Sequence, residues 1–456
     1  MQNEPKLTVS GYRGIWKESL NHEIVENYTK AFIKFVKEDI NNNPTILLGR
    51  DGRESGPEIK ETIINTLTKL EVKFIDGDIL PTPTVLFAVH KHKYDGAIII
   101  TASHNPREYN GLKFVTNKAL FTNEAEVKKI KENYEKEKLN SNNSKLQQNV
   151  PSFNTHNLNF PKEHADQILE HINVENIRSR KFKVAVDMIN ASACVLDPYL
   201  FEKLGVELIP LNNIPDGHFA HKPEPLKENL EDIARLTKEN SCDIGFAHDP
   251  DADRLVVINE EGIVISEEYT LALGVEAVLS RNLNNKVVIN MSTSQMNRDI
   301  AQKYGGICIR TKVGEANVVN GIINSHAIIG GEGGGGIIYP TINMARDSFV
   351  SFALILELLA KRNQTISECV KSLPLYVVRK DKMPITGDLN KMYSKMKNHF
   401  KEAEVNELDG LRLDFPDSSW LHLRPSNTEP IIRLIGEAKT KERIEELFEK
   451  AGILLA

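Results

Sequence analysis

Short apolar runs alternating with longer amphipathic stretches constrain the fold of this chain more than any other feature. Thr45-Ile46-Leu47-Leu48-Gly49 reads as a buried strand that ends in polar residues. Glu58 to Leu70 follows as a helix, with Ile59, Ile63, Ile64, Leu67 and Leu70 on one stripe. Ala97-Ile98-Ile99-Ile100-Thr101 is a second buried strand. Val184-Ala185-Val186-Asp187 opens a new series that Cys242 to Ala247 continues, and a third series includes Lys286 to Asn290 and Ala327 to Gly330. The alternation predicts α/β layers with largely parallel pairing. Near residue 370 the texture changes: Tyr376-Val377-Val378 and Leu411-Arg412-Leu413 read as strands of a mixed or antiparallel sheet, and a Lys- and Glu-rich helix, Lys441 to Lys450, follows. The last segment is expected to be a smaller α+β domain.

The chain has 456 residues, enough for about three domains at roughly 150 residues each. Lys128 to Asn149 begins as a solvated helix and passes into a polar linker at Asn140 to Asn149, which places a boundary near residue 150. A net charge of -6 carries no overall electrostatic footprint for nucleic acid. The four cysteines, Cys194, Cys242, Cys308 and Cys369, form no C-x-x-C pair, so neither a zinc site nor a disulfide framework is expected. The first residues lack the pattern of a secretion signal, and no apolar run approaches the length of a membrane span. A cytoplasmic protein acting on a small molecule is expected, without nucleic acid or membrane partners, as a monomer or homodimer.

Three apolar strands run into polar or glycine-rich loops, at Ser103, Asp249 and Glu332. In open α/β sheets ligands bind beyond the carboxyl ends of strands, so three such ends could converge on one cleft. In the first loop, Thr101-Ala102-Ser103-His104-Asn105-Pro106, the Asn-Pro pair and the following Asn110-Gly111 are turn signals, and taken alone the loop reads as a turn. It is not the G-x-S-x-G elbow of serine esterases.

The second loop, His248-Asp249-Pro250-Asp251-Ala252-Asp253-Arg254, carries carboxylates at alternate positions. Like charges this close repel, and the pattern signals a hard cation such as magnesium, which takes oxygen ligands. Asp249, Asp251, Asp253 and Glu260 match positions one, three, five and twelve of a calcium EF-hand, but Arg254 stands where that loop needs glycine, and Leu255 to Ile258 reads as a strand.

The third loop, Gly330-Gly331-Glu332-Gly333-Gly334-Gly335-Gly336, contains G-x-G-x-x-G but opens no helix, so a dinucleotide site fails its context test. Glu332 is its one side chain able to hold sugar hydroxyls; a flexible turn is an equal reading. Arg424-Pro425-Ser426-Asn427-Thr428-Glu429-Pro430 reads as an anion cradle or a capped turn. Ser10-Gly11-Tyr12-Arg13-Gly14 sets an arginine between glycines.

Together these motifs resemble the α-D-phosphohexomutases: phosphoglucomutases, phosphomannomutases and phosphoglucosamine mutases. The resemblance spans essentially the whole chain, with the motifs in the family's order. It implies an α/β protein of four domains around a central cleft: three similar α/β domains with mixed sheets at 1–150, 151–256 and 257–370, and a smaller α+β domain at 371–456. It implies that Ser103 is the phosphorylated nucleophile and that Asp249, Asp251, Asp253 and the phosphoserine hold Mg2+. By the same resemblance, Arg13, Lys113 and Arg254 are active-site cations; His104 and Lys113 are the candidates this sequence offers for proton transfer. The resemblance also implies that Glu332 contacts the sugar and that Arg424, Ser426, Asn427 and Thr428 bind the non-reacting phosphate. The implied reaction moves a phosphoryl group between the 6- and 1-positions of a hexose through a bisphosphate, with a hexose 1,6-bisphosphate as activator. One departure stands out. Many members carry Ser-Gly-His after the glutamate, where this chain has Glu332 followed by four glycines. That form looks most like archaeal-type phosphoglucosamine mutases, so glucosamine 6-phosphate is the expected substrate. A broad phosphoglucomutase/phosphomannomutase is the alternative, and a sugar-phosphate phosphatase or a non-catalytic sensor are alternatives of another class.

Overall fold

The computed structural model describes residues 6–140, 159–385, 387–425 and 431–455. Two compact units emerge, Met1–Glu267 with Gly336–Ile366, and Glu268–Gly335 with Ser367–Ala456.

The first unit opens with five strands, β1 (Tyr12–Ile15), β2 (Thr45–Arg50), β3 (Lys73–Ile79), β4 (Gly96–Ile100) and β5 (Tyr109–Thr116), in the order β1-β5-β4-β2-β3. β2 runs parallel to β3 and β4, whereas β5 is antiparallel to β4 and β1. The expected parallel pairing therefore gives way at one side. The link from β4 to β5 is too short for the crossover a parallel neighbour needs. β4 is buried along its whole length because it is covered on both faces. Ile98 and Ile100 pack with the helices His22–Asp39 and Gly56–Lys69, and Ala97 and Ile99 face the helix Thr82–His92. The expected Glu58–Leu70 helix begins slightly earlier, at Gly56, because Pro57 suits a helix's first turn.

The pattern repeats in β6 (Lys183–Asp187), β7 (Glu207–Leu211), β8 (Ile244–His248) and β9 (Leu255–Ile258), ordered β7-β6-β8-β9. β6 is parallel to β7 and β8, and β9 returns antiparallel to β8. The Ser103 and Asp249 loops are thus equivalent devices. Each follows the buried central strand and turns it sharply into an antiparallel neighbour.

In the second unit, β10 (Lys286–Asn290) pairs parallel with β11 (Ile307–Thr311) and β12 (Ile329–Glu332). β13 (Gly336–Ile338) belongs to the first unit, where Ile338 bridges Arg346 ahead of the helix Ser348–Arg362. The texture change near residue 370 marks the antiparallel sheet β14 (Val377–Pro384), β15 (Glu404–Asn406), β16 (Leu411–Asp414), β17 (Trp420–Pro425) and β18 (Ile431–Ala438), ordered β14-β18-β17-β16-β15. The helices Leu389–His399 and Lys441–Leu455 share a core with it, and the second of them runs a turn past the expected Lys450.

The polar stretch after Lys128 is helical to Asn140; the rest of the expected linker and the boundary at residue 150 lie outside the described residues. Among the described residues no helix is long and apolar enough to cross a membrane.

Candidate active site

Ser103 lies just beyond β4 and is 1% exposed. Its backbone φ of 52° is left-handed, a conformation that disfavours a non-glycine residue, so the loop around it must be held firmly. Arg53 does the holding. Its guanidinium donates five hydrogen bonds: to Asp51 Oδ2 at 3.0 Å and to the carbonyls of Ser103, Asn105, Pro106 and Tyr109 at 2.6 to 2.9 Å. Thr101 Oγ1 donates to the same Asp51 oxygen at 2.7 Å and accepts from the Ser103 amide at 2.9 Å. All three residues are buried. The serine is presented by a rigid polar lattice rather than by a loose turn.

The Asp249 loop meets the serine. Ser103 Oγ donates to Asp249 Oδ2 at 3.2 Å. Asp249, Asp251 and Asp253 are buried and offer ligand atoms within 4.8 Å of one another. In each carboxylate one oxygen is already engaged. Asp249 Oδ1 accepts the amides of Asp253 and Arg254 at 3.1 Å. Asp251 Oδ2 accepts Thr82 Oγ1 at 2.8 Å and Lys113 Nζ at 2.6 Å. Asp253 Oδ2 accepts Arg346 Nη2 at 2.5 Å. The other oxygens of Asp251 and Asp253 are buried without a hydrogen-bond partner, a costly arrangement unless a cation completes it. Three single carboxylate oxygens beside a serine hydroxyl fit a small octahedral cation that keeps room for water or phosphate oxygens.

The loop itself is pinned from several sides. Thr82 N donates to Asp251 O at 2.9 Å, Ser192 Oγ to Pro250 O at 2.7 Å and Ser348 Oγ to Ala252 O at 2.7 Å. Burial and the charges of Asp253 and Asp251 push the Asp249 carboxyl well above the usual range. Asp251 is also buried, which alone would raise it, yet Lys113 and Thr82 hold it well below that range.

The expected cations gather here. Arg13, on β1, donates to Asn105 Oδ1 at 2.8 Å, and burial lowers its pKa. Lys113, on β5, bonds Asp251 and stands 3.7 Å from Asp253. Arg254 Nε is 3.7 Å from Asp253 Oδ1. His104 Nδ1 is 3.4 Å from Ser103 Oγ; burial, with Arg254 and Arg13 near, pushes its imidazole down to about 2, so it stands neutral at working pH.

The remaining expected residues belong to the second unit. Glu332 ends β12, where Oε1 accepts Asn290 Nδ2 at 2.9 Å and the Gly314 amide at 3.0 Å. Arg424 Nε lies 3.2 Å from Asp409 Oδ2, which also accepts the Val313 amide at 2.8 Å. Glu332 and Arg424 are therefore joined through the backbone of residues 313–314. Ser426, Asn427 and Thr428 lie outside the described residues.

Sequence reasoning overlooked Arg53, Asp51, Thr82 and Arg346. Asp51-Gly52-Arg53 follows β2 and was legible as one more polar strand end. Arg346 is a lone arginine far along the chain, with nothing local to mark it.

Models of the four domains of one family match in order. Phosphoglucomutase/phosphomannomutase alpha/beta/alpha domains I, II and III match residues 5–141, 162–262 and 266–376, and the C-terminal domain matches 379–451. A phosphoglucomutase/phosphomannomutase of Thermococcus kodakarensis is 34% identical, covering 96% of both chains. A "probable phosphoglucosamine mutase" of Pyrococcus abyssi is 32% identical over 98% of this chain and 96% of its own. A phosphoglucosamine/phosphogalactosamine mutase of Sulfurisphaera tokodaii is 32% identical over 96% of each. Among solved structures, a phosphoglucomutase/phosphomannomutase family protein from Burkholderia thailandensis superposes with a TM-score of 0.85 at 27% identity, covering 99% of this chain and 97% of that one.

Proposed function

The chain belongs to the phosphoglucomutase/phosphomannomutase family, enzymes that are isomerases, and we propose that it interconverts glucosamine 6-phosphate and glucosamine 1-phosphate through phosphorylated Ser103. The observation that carries this reading is Ser103 Oγ 3.2 Å from Asp249, beside two buried carboxylate oxygens without partners. Asp249, Asp251, Asp253 and the phosphoserine would hold Mg2+, whose charge offsets that of the phosphoryl group during transfer.

In the first half-reaction a sugar hydroxyl oxygen attacks the phosphorus of phosphoserine, the P–Oγ bond breaks, and a bisphosphate forms. The hydroxyl's proton passes to the neutral ring of His104, which stands beside Ser103 Oγ and returns it to the Ser103 oxygen, while Lys113, bonded to Asp251, acts as a cation. Arg13, Lys113 and Arg254 balance charge on the group in flight. In the second half-reaction Ser103 takes the other phosphate. A hexose 1,6-bisphosphate serves as activator by phosphorylating Ser103. Glu332 contacts the sugar, and Arg424 with Ser426, Asn427 and Thr428 grips the phosphate that is not reacting. The amino sugar is favoured by the glycine-rich loop after Glu332 and by the names of the Pyrococcus and Sulfurisphaera relatives. The Thermococcus relative supports the second reading, a phosphoglucomutase/phosphomannomutase of broad specificity.

The deciding experiment compares kcat/KM on glucosamine, glucose and mannose phosphates with Mg2+ and trace bisphosphate. A clear preference for the amino sugar is expected; equal rates would establish the broad enzyme. Ser103→Ala should abolish isomerisation. Phosphate release matching product formation would make the protein a phosphatase, and ligand binding without turnover would make it a sensor.

A further inference from the structure

The clamping of one oxygen on each aspartate has a counterpart outside the family motifs. We propose that Arg346 is a positioning residue that keeps Asp253 a single-oxygen ligand and so selects Mg2+ over Ca2+. The inference rests on the reading of the aspartates as a metal site.

Arg346 is 9% exposed, and its Nη2 donates to Asp253 Oδ2 at 2.5 Å, while Oδ1 is buried without a hydrogen-bond partner. Backbone amides play the same part for Asp249, and Thr82 with Lys113 for Asp251. On Asp253 Oδ2 the hydrogen bond comes from Arg346, while Lys113 Nζ, bonded to Asp251, stands farther off at 3.7 Å. Magnesium demands near-octahedral geometry with one oxygen from each carboxylate, whereas calcium accepts bidentate carboxylates and more ligands. Asp253 released from Arg346 would offer both oxygens, and the site would suit the larger ion.

The glycine run after Glu332 makes this clamp sterically feasible. A Cβ at Gly336 would meet Arg346 Cδ at 2.3 Å, Cγ at 2.8 Å and Cβ at 3.2 Å. The segment in which the family's histidine is missing therefore ends in the glycine that lets this arginine pass.

The test is direct binding of Mg2+ and of Ca2+ to the purified full chain by calorimetry, backed by displacement of Mn2+ followed by electron paramagnetic resonance. Arg346→Met removes both the charge and the donor. Losing a nearby positive charge alone would tighten both divalent ions alike and leave the ratio of their dissociation constants unchanged. Losing the clamp should shift that ratio about tenfold towards Ca2+, the scale on which partners of metal ligands act. Arg346→Lys, which keeps a charged donor, should stay near the wild-type ratio, and Gly336→Ala should reproduce the shift seen with methionine. Arg346→Leu serves the same purpose if the methionine variant fails to fold. An unchanged ratio in a folded variant without the charged donor overturns the proposal. Because ion binding is read without turnover, a wrong sugar or a missing isomerase activity leaves this result standing.

Discussion

Arg53 concentrates more of the site's geometry than any residue that touches its chemistry. Its fork satisfies four carbonyls of the Ser103 loop and one carboxylate, all within a buried lattice. A lysine presents a point charge with no planar fork, so Arg53→Lys must leave buried carbonyls unpaired. Each buried carbonyl left without a donor costs about 1–3 kcal/mol, and the left-handed backbone at Ser103 loses its support as well. We expect a lowered Tm together with a fall in kcat of about two orders of magnitude, the scale of a small misplacement of reacting atoms. A denaturation curve and steady-state kinetics on the same sample check this; wild-type kcat in the lysine variant would show that the serine needs no such frame. Ser103, the three aspartates and Arg254 were legible in sequence because each sits inside a short contiguous motif at a strand end, and Lys113 because it follows the first of these motifs closely. Arg53 and Arg346 were not, since an arginine that works by bonding residues some 50 or 93 positions away leaves no local pattern.

At the scale of the element, the antiparallel return of β5 onto β4 and β1 carries two of the cations. Register sets Arg13 opposite Gly111 and Lys113 opposite Ile99. A Cβ at Gly111 would stand 2.2 Å from Tyr12 O and 2.8 Å from Thr101 O, both backbone atoms that cannot rotate away. Gly111→Ala must therefore push β1 off the sheet edge and take Arg13 from Asn105. Overpacking of this kind costs about 1–3 kcal/mol. The expected result is a lowered Tm and a larger loss in kcat/KM than an Arg13→Ala change gives at unchanged Tm. Equal Tm values for Gly111→Ala and wild type would mean that the edge strand shifts freely. The parallel strands β2, β4, β6 and β8 could be read from their apolar runs. The antiparallel direction of β5 and β9 could not, because periodicity marks burial and says nothing about which way a strand runs.

At the scale of the whole molecule, chain order and compactness part ways. The chain leaves the first unit at Glu267, returns at Gly336 and leaves again at Ile366, a course that apolar patterning does not record. Every residue of the aspartate–serine site, Arg346 included, belongs to the first unit, whereas Glu332 and Arg424 belong to the second. A cation that binds only the folded site stabilises by RT ln(1 + [L]/Kd), about 2.7 kcal/mol at a hundredfold excess over Kd. If the units unfold separately, that gain falls on the first alone. The two tryptophans of the chain report one unit each. Trp16 donates to Glu58 at 3.1 Å in the first, and Trp420, fully buried, donates to Glu437 at 2.7 Å in the second. Trp420→Phe leaves Trp16 as the reporter, and Trp16→Phe leaves Trp420. Thermal scans of both variants, after chelation and with saturating Mg2+, should raise the Trp16 midpoint by several degrees and leave the Trp420 midpoint in place. Equal shifts at both tryptophans would mean that the units melt as one body, and no shift at either would remove the cation from the site altogether.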